Sequence, residues 1–164
     1  MALRRLRLEG DSILHKVSKP IENIDNKTNE LIDDMLETMY NAGGVGLAAV
    51  QVGVLKRVFV ADISEDRDCP MVFINPTITK EEGSRVGWEG CLSIPGMSGK
   101  VTRPQTTTIC ATDRFGNDFE LCADDVLSVV INHEMDHLNG LLLIQRAEEM
   151  KSNDEVDNGV ANED

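Results

Sequence analysis

The chain has 164 residues, which is about the length of one domain. Hydrophobic residues make up 41% and charged residues 27%, a composition that is typical of a globular protein and excludes collagen and bulk disorder. The net charge of −13 argues against a broad basic surface for nucleic acid. No apolar run approaches the roughly 20 residues that cross a bilayer, and no signal peptide is predicted.

The first predicted elements are two helices. A short helix begins at Asp11, with apolar residues on one face, and ends before Pro20. An amphipathic helix spans residues 28–40, where apolar side chains recur every three or four residues. Gly43 and Gly44 follow that helix and can end it.

The middle of the chain reads as strands. Buried strands are predicted at residues 57–62 and 71–75, and a hairpin is predicted at residues 105–123. Between them, residues 81–104 contain five glycines and two prolines. Those residues therefore predict a loop-rich segment with at most short strands.

The last predicted helix is capped by Asp124 or Asp125 and runs to Leu138, with Gly140 just beyond it. Helices on either side of a run of strands indicate an α+β fold, with antiparallel strands around this C-terminal helix. Residues 1–150 are expected to form one domain. Residues 151–164 are expected to form a mobile acidic tail, because they are polar and poor in large apolar side chains.

The most specific motif lies inside this helix, where residues 133–137 read His-Glu-Met-Asp-His. Residues i and i+4 of a helix share a face, so His133 and His137 can bind one metal ion together. A bound metal ion lowers the pKa of a water molecule, and Glu134 is placed to accept its proton. The chain has three histidines, two of which are in this motif. The alternative is a helix with two partly exposed histidines and no metal.

The third ligand decides the class of site built on this motif. HExxH peptidases take a later His or Glu, but the first acid after the motif is Glu148, in the polar tail. Upstream, the thiolate of Cys91 would complete a Cys-His-His set with one open position, the pattern of a catalytic site. A small buried side chain is the other interpretation of Cys91, and it is the role predicted for Cys69, Cys110 and Cys122.

A third segment, residues 44–51, reads Gly-Val-Gly-Leu-Ala-Ala-Val-Gln. It lacks the Gly-Lys-Ser/Thr of a phosphate-binding loop. Its small residues permit close approach of a backbone, either from a ligand or from a neighbouring strand. Gln51 offers an amide donor that could face a developing oxyanion. A surface glutamine after a tight turn is the alternative.

These three segments together resemble the peptide deformylase family. The family's motifs GxGxAAxQ, EGCxS and HExxH correspond to Gly44–Gln51, Glu89–Ser93 and His133–His137, in the family's order. The likeness covers roughly residues 10–146. Asn132 departs from it, since the family usually has Gln there.

The resemblance implies a metal-dependent hydrolase that removes the N-formyl group from N-formylmethionyl nascent peptides and releases formate. It implies one divalent metal ion, Fe²⁺ in the family and replaceable by Zn²⁺, Ni²⁺ or Co²⁺, on the ligands Cys91, His133 and His137. Glu134 is implied as general base and then general acid. Gln51 and the backbone N–H of Leu92 are implied to stabilise the tetrahedral intermediate.

The resemblance also implies which residues meet the substrate. Its backbone contacts are Val45, Gly46 and Gly90, and the residues that line its methionine pocket are Val126, Val129 and Val130. Glu89 and Arg103 are implied to form a supporting ion pair. The neighbours of Trp88, which directly precedes Glu89, predict that it lies at the rim of the metal site; a ring that points away into packing is the alternative.

Two other functions remain open from the residues alone. An HExxH peptidase is disfavoured by Cys91 as third ligand. A metal-binding interaction protein on the same fold would be indicated by loss of Glu134 or Gln51, and both are present.

The expected partners are formyl-Met nascent peptides, with transient proximity to the ribosome and without direct nucleic-acid or membrane binding. Many bacterial members of the family continue in a long basic helix, whereas residues 148–164 here carry seven acids and one base. Ribosome docking through such a helix is therefore not expected. The expected location is the bacterial cytoplasm.

Overall fold

The structure is a computed structural model that describes residues 2–156. The α-helices are α1 (Asn26–Asn41), α2 (Val126–Leu138) and α3 (Leu143–Arg146), and 3-10 turns occur at Ser12–His15 and Ala49–Val52. The strands are β1 (Gly46–Ala48), β2 (Val58–Ala61), β3 (Met71–Glu82), β4 (Arg85–Cys91), β5 (Ile94–Arg103), β6 (Thr106–Thr112), β7 (Asp118–Asp124) and β8 (Glu149–Ser152). The α+β architecture predicted from the sequence is confirmed.

Five strands form one sheet in the order β1-β2-β3-β6-β7, and every neighbouring pair is antiparallel. The predicted hairpin is confirmed as β6 and β7. All four residues of β2 are buried because the strand lies between two helices. Phe59 belongs to the core cluster that includes α2 residues, whereas Val58 and Val60 belong to the cluster that includes α1 residues. Alternate residues of one strand therefore supply both halves of the core.

The second sheet has three antiparallel strands in the order β4-β5-β8. The prediction of a loop-rich segment at residues 81–104 is wrong, because β4 and β5 pair along most of that segment. Its glycines and prolines resemble a loop locally. The backbone nevertheless satisfies its hydrogen bonds across strands, and β8, about fifty residues later in the chain, pairs with the other edge of β5.

The helix ends follow local rules with one exception. Asp25 caps α1 by accepting a hydrogen bond from the Thr28 N–H at 2.9 Å. Asp125 occupies the capping position of α2, as predicted, but its side chain makes no cap hydrogen bond and instead pairs with Arg85. Gly140 follows α2 with φ of 78°, where a side chain would collide with the backbone of His15.

The chain after α3 returns to the body of the protein. Strand β8 ends at Ser152, so the boundary predicted at residue 150 falls inside a strand that pairs with β5. Residues 157–164 of the predicted acidic tail lie outside the described residues. Among the described helices, none is long and apolar enough to cross a membrane.

Three cysteines do not have the buried position predicted for them. Cys69 and Cys122 are exposed, and Cys110 is half-buried. Cys110 and Cys122 lie on the hairpin positions whose side chains alternate away from the buried residues Ile109 and Ala123. The alternation of β6 and β7 therefore explains the exposure of these two thiols.

Candidate metal centre and active-site cleft

Helix α2 brings the two histidines of the motif together. His133 and His137 are one turn apart, and their Nε2 atoms lie 3.2 Å from each other. Both rings are buried. The rings are buried because α2 itself lies inside the protein. Its apolar residues Val130, Ile131 and Leu138 pack in the core next to the five-stranded sheet.

Cys91 completes a cluster of three ligand atoms. It ends β4, and its Sγ lies 3.4 Å from His137 Nε2. The ligand atoms of Cys91, His133 and His137 all lie within 4.8 Å of one another. Two nitrogens bound about 2.0–2.1 Å from one ion at a tetrahedral angle lie about 3.3 Å apart. The observed spacing and the thiol-imidazole-imidazole donor set therefore fit one transition-metal ion.

Glu89 fixes the orientation of the first histidine. Its Oε1 lies 3.0 Å from His133 Nδ1, which leaves Nε2 directed at the other ligands. Burial lowers the pKa of His133, but hydrogen bonds with Cys91 and Glu89 raise it to about 10. A carboxylate behind a histidine ligand sets its tautomer and increases its basicity. For His137, burial lowers the pKa well below its ordinary value, which favours the neutral ring that a metal binds.

Arg103 holds Glu89 with two hydrogen bonds, each of 2.9 Å. Burial would raise the pKa of Glu89, but hydrogen bonds from His133 and Arg103 keep it below its ordinary value. The ion pair implied by the resemblance is therefore present, and both side chains are buried. Asp136, inside the HExxH motif, accepts from Arg103 at 2.6 Å and from Arg146 at 3.0 Å.

Asp136 and Arg146 were not identified from the sequence. Asp136 lies 33 residues from Arg103 along the chain, and nothing local indicates that they pair. The signal that could have found Asp136 is its place in a buried helix, since a buried carboxylate requires a cationic partner. The two arginines and the carboxylates of Glu89 and Asp136 neutralise one another behind the Cys-His-His cluster.

Glu134 faces the opposite side of the cluster from this network. It is 3% exposed, and within residues 2–156 its Oε2 has no hydrogen-bond partner. Burial raises the pKa of Glu134 to about 7, although His133 and Arg103 act against the shift. A Cβ on Gly46 would lie 2.8 Å from Glu134 Oε1, so only glycine allows β1 to pass so close to this carboxylate.

Gln51 is buried, so its alternative interpretation as a surface glutamine is wrong. Its Oε1 accepts from the Ala48 N–H at 2.9 Å, which fixes the direction of the amide. Its Nε2 donates to Ser93 Oγ at 3.1 Å and lies 3.8 Å from Cys91 Sγ. The amide is therefore held with its donor nitrogen beside the metal centre.

A cleft of about 480 Å³ opens onto the centre. Leu92 lines it, as do all six residues implied as substrate contacts, Val45, Gly46, Gly90, Val126, Val129 and Val130. Val130 is buried and Val126 is half exposed, so the apolar wall runs from the interior to the mouth. Trp88 also lines the cleft, and so do Met97 and Asn153, which were not identified from the sequence.

The fold and the cleft together define a class of protein: an α+β domain whose HExxH helix brings two histidines and a cysteine into a cluster that could hold a metal ion. The profile of the polypeptide deformylase family matches residues 3–153. A peptide deformylase of Lachnoclostridium phytofermentans is 51% identical over 146 residues, which cover 89% of this chain and 90% of that protein.

Solved structures agree with the sequence comparison. The peptide deformylase of Legionella pneumophila has a TM-score of 0.87 and 41% identity, covering 90% of this chain and 87% of that one. The Synechococcus elongatus peptide deformylase in complex with actinonin has a TM-score of 0.85 and 38% identity, covering 97% of this chain and 85% of that one. The chain belongs to the polypeptide deformylase family. It is a metal-dependent hydrolase that removes the formyl group from N-formylmethionyl nascent peptides.

Proposed function

We propose that Cys91, His133 and His137 hold the catalytic metal ion and that this ion is Fe²⁺ in the cell. The observation that carries the proposal is the convergence of one sulfur and two nitrogen atoms within 4.8 Å. A mixed thiolate and imidazole set suits iron as well as zinc, nickel or cobalt. When bound, the ion supplies Lewis acidity, which lowers the pKa of water and polarises the formyl carbonyl.

Glu134 moves the proton in this proposal. A general base works best when its pKa is close to the operating pH, and burial raises the pKa of Glu134 to about 7. The carboxylate takes a proton from water and then gives it to the nitrogen of the departing methionyl amine. Its Oε2 accepts no hydrogen bond from the described part of the chain, so one oxygen is available for that transfer.

Gln51 and the backbone N–H of Leu92 stabilise the charge that develops on the formyl oxygen. The amide of Gln51 is held in place through Ala48 before any substrate arrives. A donor fixed in advance costs no reorganisation during the reaction, which is why such groups lower the barrier strongly.

The substrate lies along the cleft, with its backbone against Val45, Gly46 and Gly90. Its methionine side chain packs against the valines at 126, 129 and 130, which form an apolar wall on α2. A formyl carbon carries only hydrogen, so a tight site admits it and excludes an acetyl group. Behind the ligands, Glu89 and Arg103 keep His133 oriented.

We also propose transient proximity to the ribosome, where formylated nascent chains appear, and a cytoplasmic location in a bacterium. We do not propose direct binding to nucleic acid, because the net charge of −13 opposes association with phosphates. The relative from Lachnoclostridium phytofermentans described above is a bacterial protein, which supports the location.

The proposal is tested with protein purified without oxygen and loaded with Fe²⁺. Formate release is measured from formyl-Met-Ala and compared with acetate release from acetyl-Met-Ala. We expect turnover of the formyl peptide and at least a hundredfold lower rate on the acetyl peptide. Equal rates on the two substrates would contradict a site shaped for the formyl group.

A further inference from the structure

We propose that residues 2–9, which we call the N-terminal arm, position the two oxyanion donors of the reaction, Gln51 and the backbone N–H of Leu92. No residue of the arm lines the cleft. The arm acts through main-chain hydrogen bonds to the segments that carry these donors. The inference rests on the proposed function, in which both groups stabilise the charge on the formyl oxygen.

The arm binds both donor segments along one edge. The Arg7 N–H donates to the carbonyl of Gln51 at 2.7 Å, and the Glu9 N–H donates to the carbonyl of Ser93 at 2.8 Å. Residues i and i+2 of an extended segment direct their N–H groups to the same side, so one edge of the arm reaches both carbonyls. Because Ser93 directly follows Leu92, its hydrogen bond also restrains the peptide that supplies the second donor.

Gln51 and Ser93 also meet through their side chains. The Gln51 Nε2 donates to Ser93 Oγ at 3.1 Å, and both residues are buried. This bond uses one of the two hydrogens on the amide nitrogen and leaves the other for the formyl oxygen. The two backbone bonds of the arm and this side-chain bond close a ring. The ring fixes the separation of the two donor segments.

The far end of the arm is fastened to α1. Asp34 is 4% exposed and accepts hydrogen bonds from the Ala2 N–H at 2.7 Å and from Arg4 Nε at 2.9 Å. The Arg4 N–H donates to Thr38 Oγ1 at 3.0 Å. Burial raises the pKa of Asp34, but the hydrogen bonds from Ala2 and Arg4 keep it below its ordinary value. The ionised carboxylate therefore holds the arm with charge-assisted bonds.

Side chains of the arm pack on the 3-10 turn that carries Gln51. A Cβ on Gly53, which ends this turn with φ of 84°, would lie 2.9 Å from Arg7 Nη2. The guanidinium therefore covers a position where only glycine leaves room for it. Leu6 packs against the core cluster that contains Val52 of the same turn. The arm is thus held to the turn by packing as well as by its backbone.

A loosened arm should slow the reaction without weakening substrate binding. An oxyanion donor acts on charge that is present only in the transition state, so its displacement lowers kcat and leaves KM nearly unchanged. Displacement by about 1 Å can cost on the order of a hundredfold in rate. This split between kcat and KM distinguishes positioning of the donors from a contact with the substrate.

Glu9→Pro tests the arm because proline has no N–H to donate to Ser93. The Glu9 side chain is exposed and makes no hydrogen bond within residues 2–156. Leu8→Pro is the matched control, since the Leu8 N–H has no partner in the same range. With formyl-Met-Ala, we expect kcat of Glu9→Pro to fall about 5- to 50-fold, with KM within about twofold and the metal retained. The control should stay within about twofold of wild type.

Equal kcat in the two proline variants would overturn the proposal. Metal loss that matches the loss of kcat in Glu9→Pro would also overturn it, because the arm would then support the neighbouring ligand Cys91. A wild-type kcat in Gln51→Ala would instead overturn the proposed oxyanion role itself. A slow Gln51→Ala beside an unaffected Glu9→Pro would overturn the arm alone.

The double variant shows whether the arm acts through the donors. In the Gln51→Ala background, the fold-loss caused by Glu9→Pro should be at least about threefold smaller than in wild type, since one positioned donor is already absent. Effects that multiply in full would contradict the ring.

Arg4→Ala tests the far end and keeps the proposal falsifiable if Glu9→Pro does not fold. It removes the ion pair with Asp34, and Arg5→Ala, on an exposed neighbour, is the control. Hydrogen exchange of residues 2–11 should become faster in Arg4→Ala only, and kcat should fall about two- to fivefold at unchanged KM. Faster exchange with a wild-type kcat would overturn the proposal, and unchanged exchange would contradict the anchor on α1.

Discussion

The guanidinium of Arg103 donates two hydrogen bonds, each of 2.9 Å, to the buried carboxylate of Glu89. Glu89 Oε1 lies 3.0 Å from His133 Nδ1, so the buried ion pair orients the ring of His133, a proposed metal ligand, through the carboxylate. Asp136 and Arg146 extend the network and neutralise it. The arrangement suits positioning rather than stability, since buried ion pairs rarely stabilise a fold strongly.

Glu89→Gln should therefore weaken metal binding without removing a ligand. The substitution keeps the shape of the side chain and removes the charge that supports His133. We expect the affinity for Zn²⁺ or Fe²⁺ to fall about 10–100-fold, measured by competition with a chelator. Glu22→Gln, on an exposed residue, is the control. Unchanged affinity in Glu89→Gln would show that the carboxylate does not support the ligand.

Glu134→Ala should separate metal binding from chemistry. The variant is expected to keep its metal ion and to lose about 10²–10⁴-fold in kcat, because a general base is lost and no ligand is removed.

Gln51→Ala should also keep the metal and lose about 10²–10³-fold in kcat, since one oxyanion donor is lost. Elemental analysis measures the metal content of Glu134→Ala and Gln51→Ala, and formate release measures their turnover. A wild-type rate in either variant would remove that residue from the mechanism.

The loop after β2 provides a test at acid pH. Asp62 is fully buried and accepts hydrogen bonds from the Tyr40 hydroxyl at 2.6 Å and the Ser64 N–H at 2.8 Å. Burial alone would raise the pKa of Asp62, but these hydrogen bonds outweigh it and lower the pKa to about 2. The carboxylate therefore stabilises the fold above about pH 4, and this contribution is lost as the pH falls through about 2.

Asp62→Asn should accordingly reduce the free energy of unfolding near pH 7 by about 1–3 kcal/mol. The difference between variant and wild type should shrink as the pH falls from 4 towards 2, because the Asp62 carboxyl binds a proton in the unfolded wild-type chain before it does so in the folded protein. Urea unfolding of both proteins at a series of pH values measures this difference in the free energy of unfolding. A difference that does not vary with pH would mean that the charge of Asp62 contributes nothing.

The sequence predicts a mobile tail at residues 151–164, so the removal of these residues should not harm catalysis on a short substrate. The structure adds two effects, since the deletion removes half of β8 and also Asn153. We expect kcat/KM on formyl-Met-Ala to stay within about twofold. We expect the melting temperature to fall by roughly 2–8 °C, as one or two hydrogen bonds to β5 are lost.

A chain ending at Val156 is the control, because it keeps β8 and Asn153. It should match the full chain in melting temperature to within about 2 °C. Equal stability of the two truncations would show that the end of β8 does not hold the edge of β5.

The features of this protein that could be predicted are those that local sequence patterns determine. The spacing of His133 and His137 on a helix, and the turn between β6 and β7, follow from periodicity and from turn residues. The pairing of β4 with β5 could not be predicted in this way, because glycine-rich strands resemble loops in sequence and are held by hydrogen bonds across the sheet.

The site residues that were not predicted from the sequence are brought together by contacts between distant parts of the chain. Asp136 and Arg103 meet across 33 positions, and Ser98 and Asn153 meet across 55. Such contacts depend on how the sheets and α2 pack, which no local pattern reports. The family resemblance supplied Glu89, Arg103 and Leu92, which spacing alone did not identify.

The most direct test of the account is the metal content of Cys91→Ala beside Cys69→Ala. Both proteins are purified without oxygen, loaded with Fe²⁺ and desalted before elemental analysis. Cys69 is exposed and does not belong to the predicted ligand set, so that variant should retain about one ion per chain. Cys91→Ala should lose most of its metal and its formate release, because a thiolate ligand is missing. Full occupancy in Cys91→Ala would contradict the Cys-His-His centre.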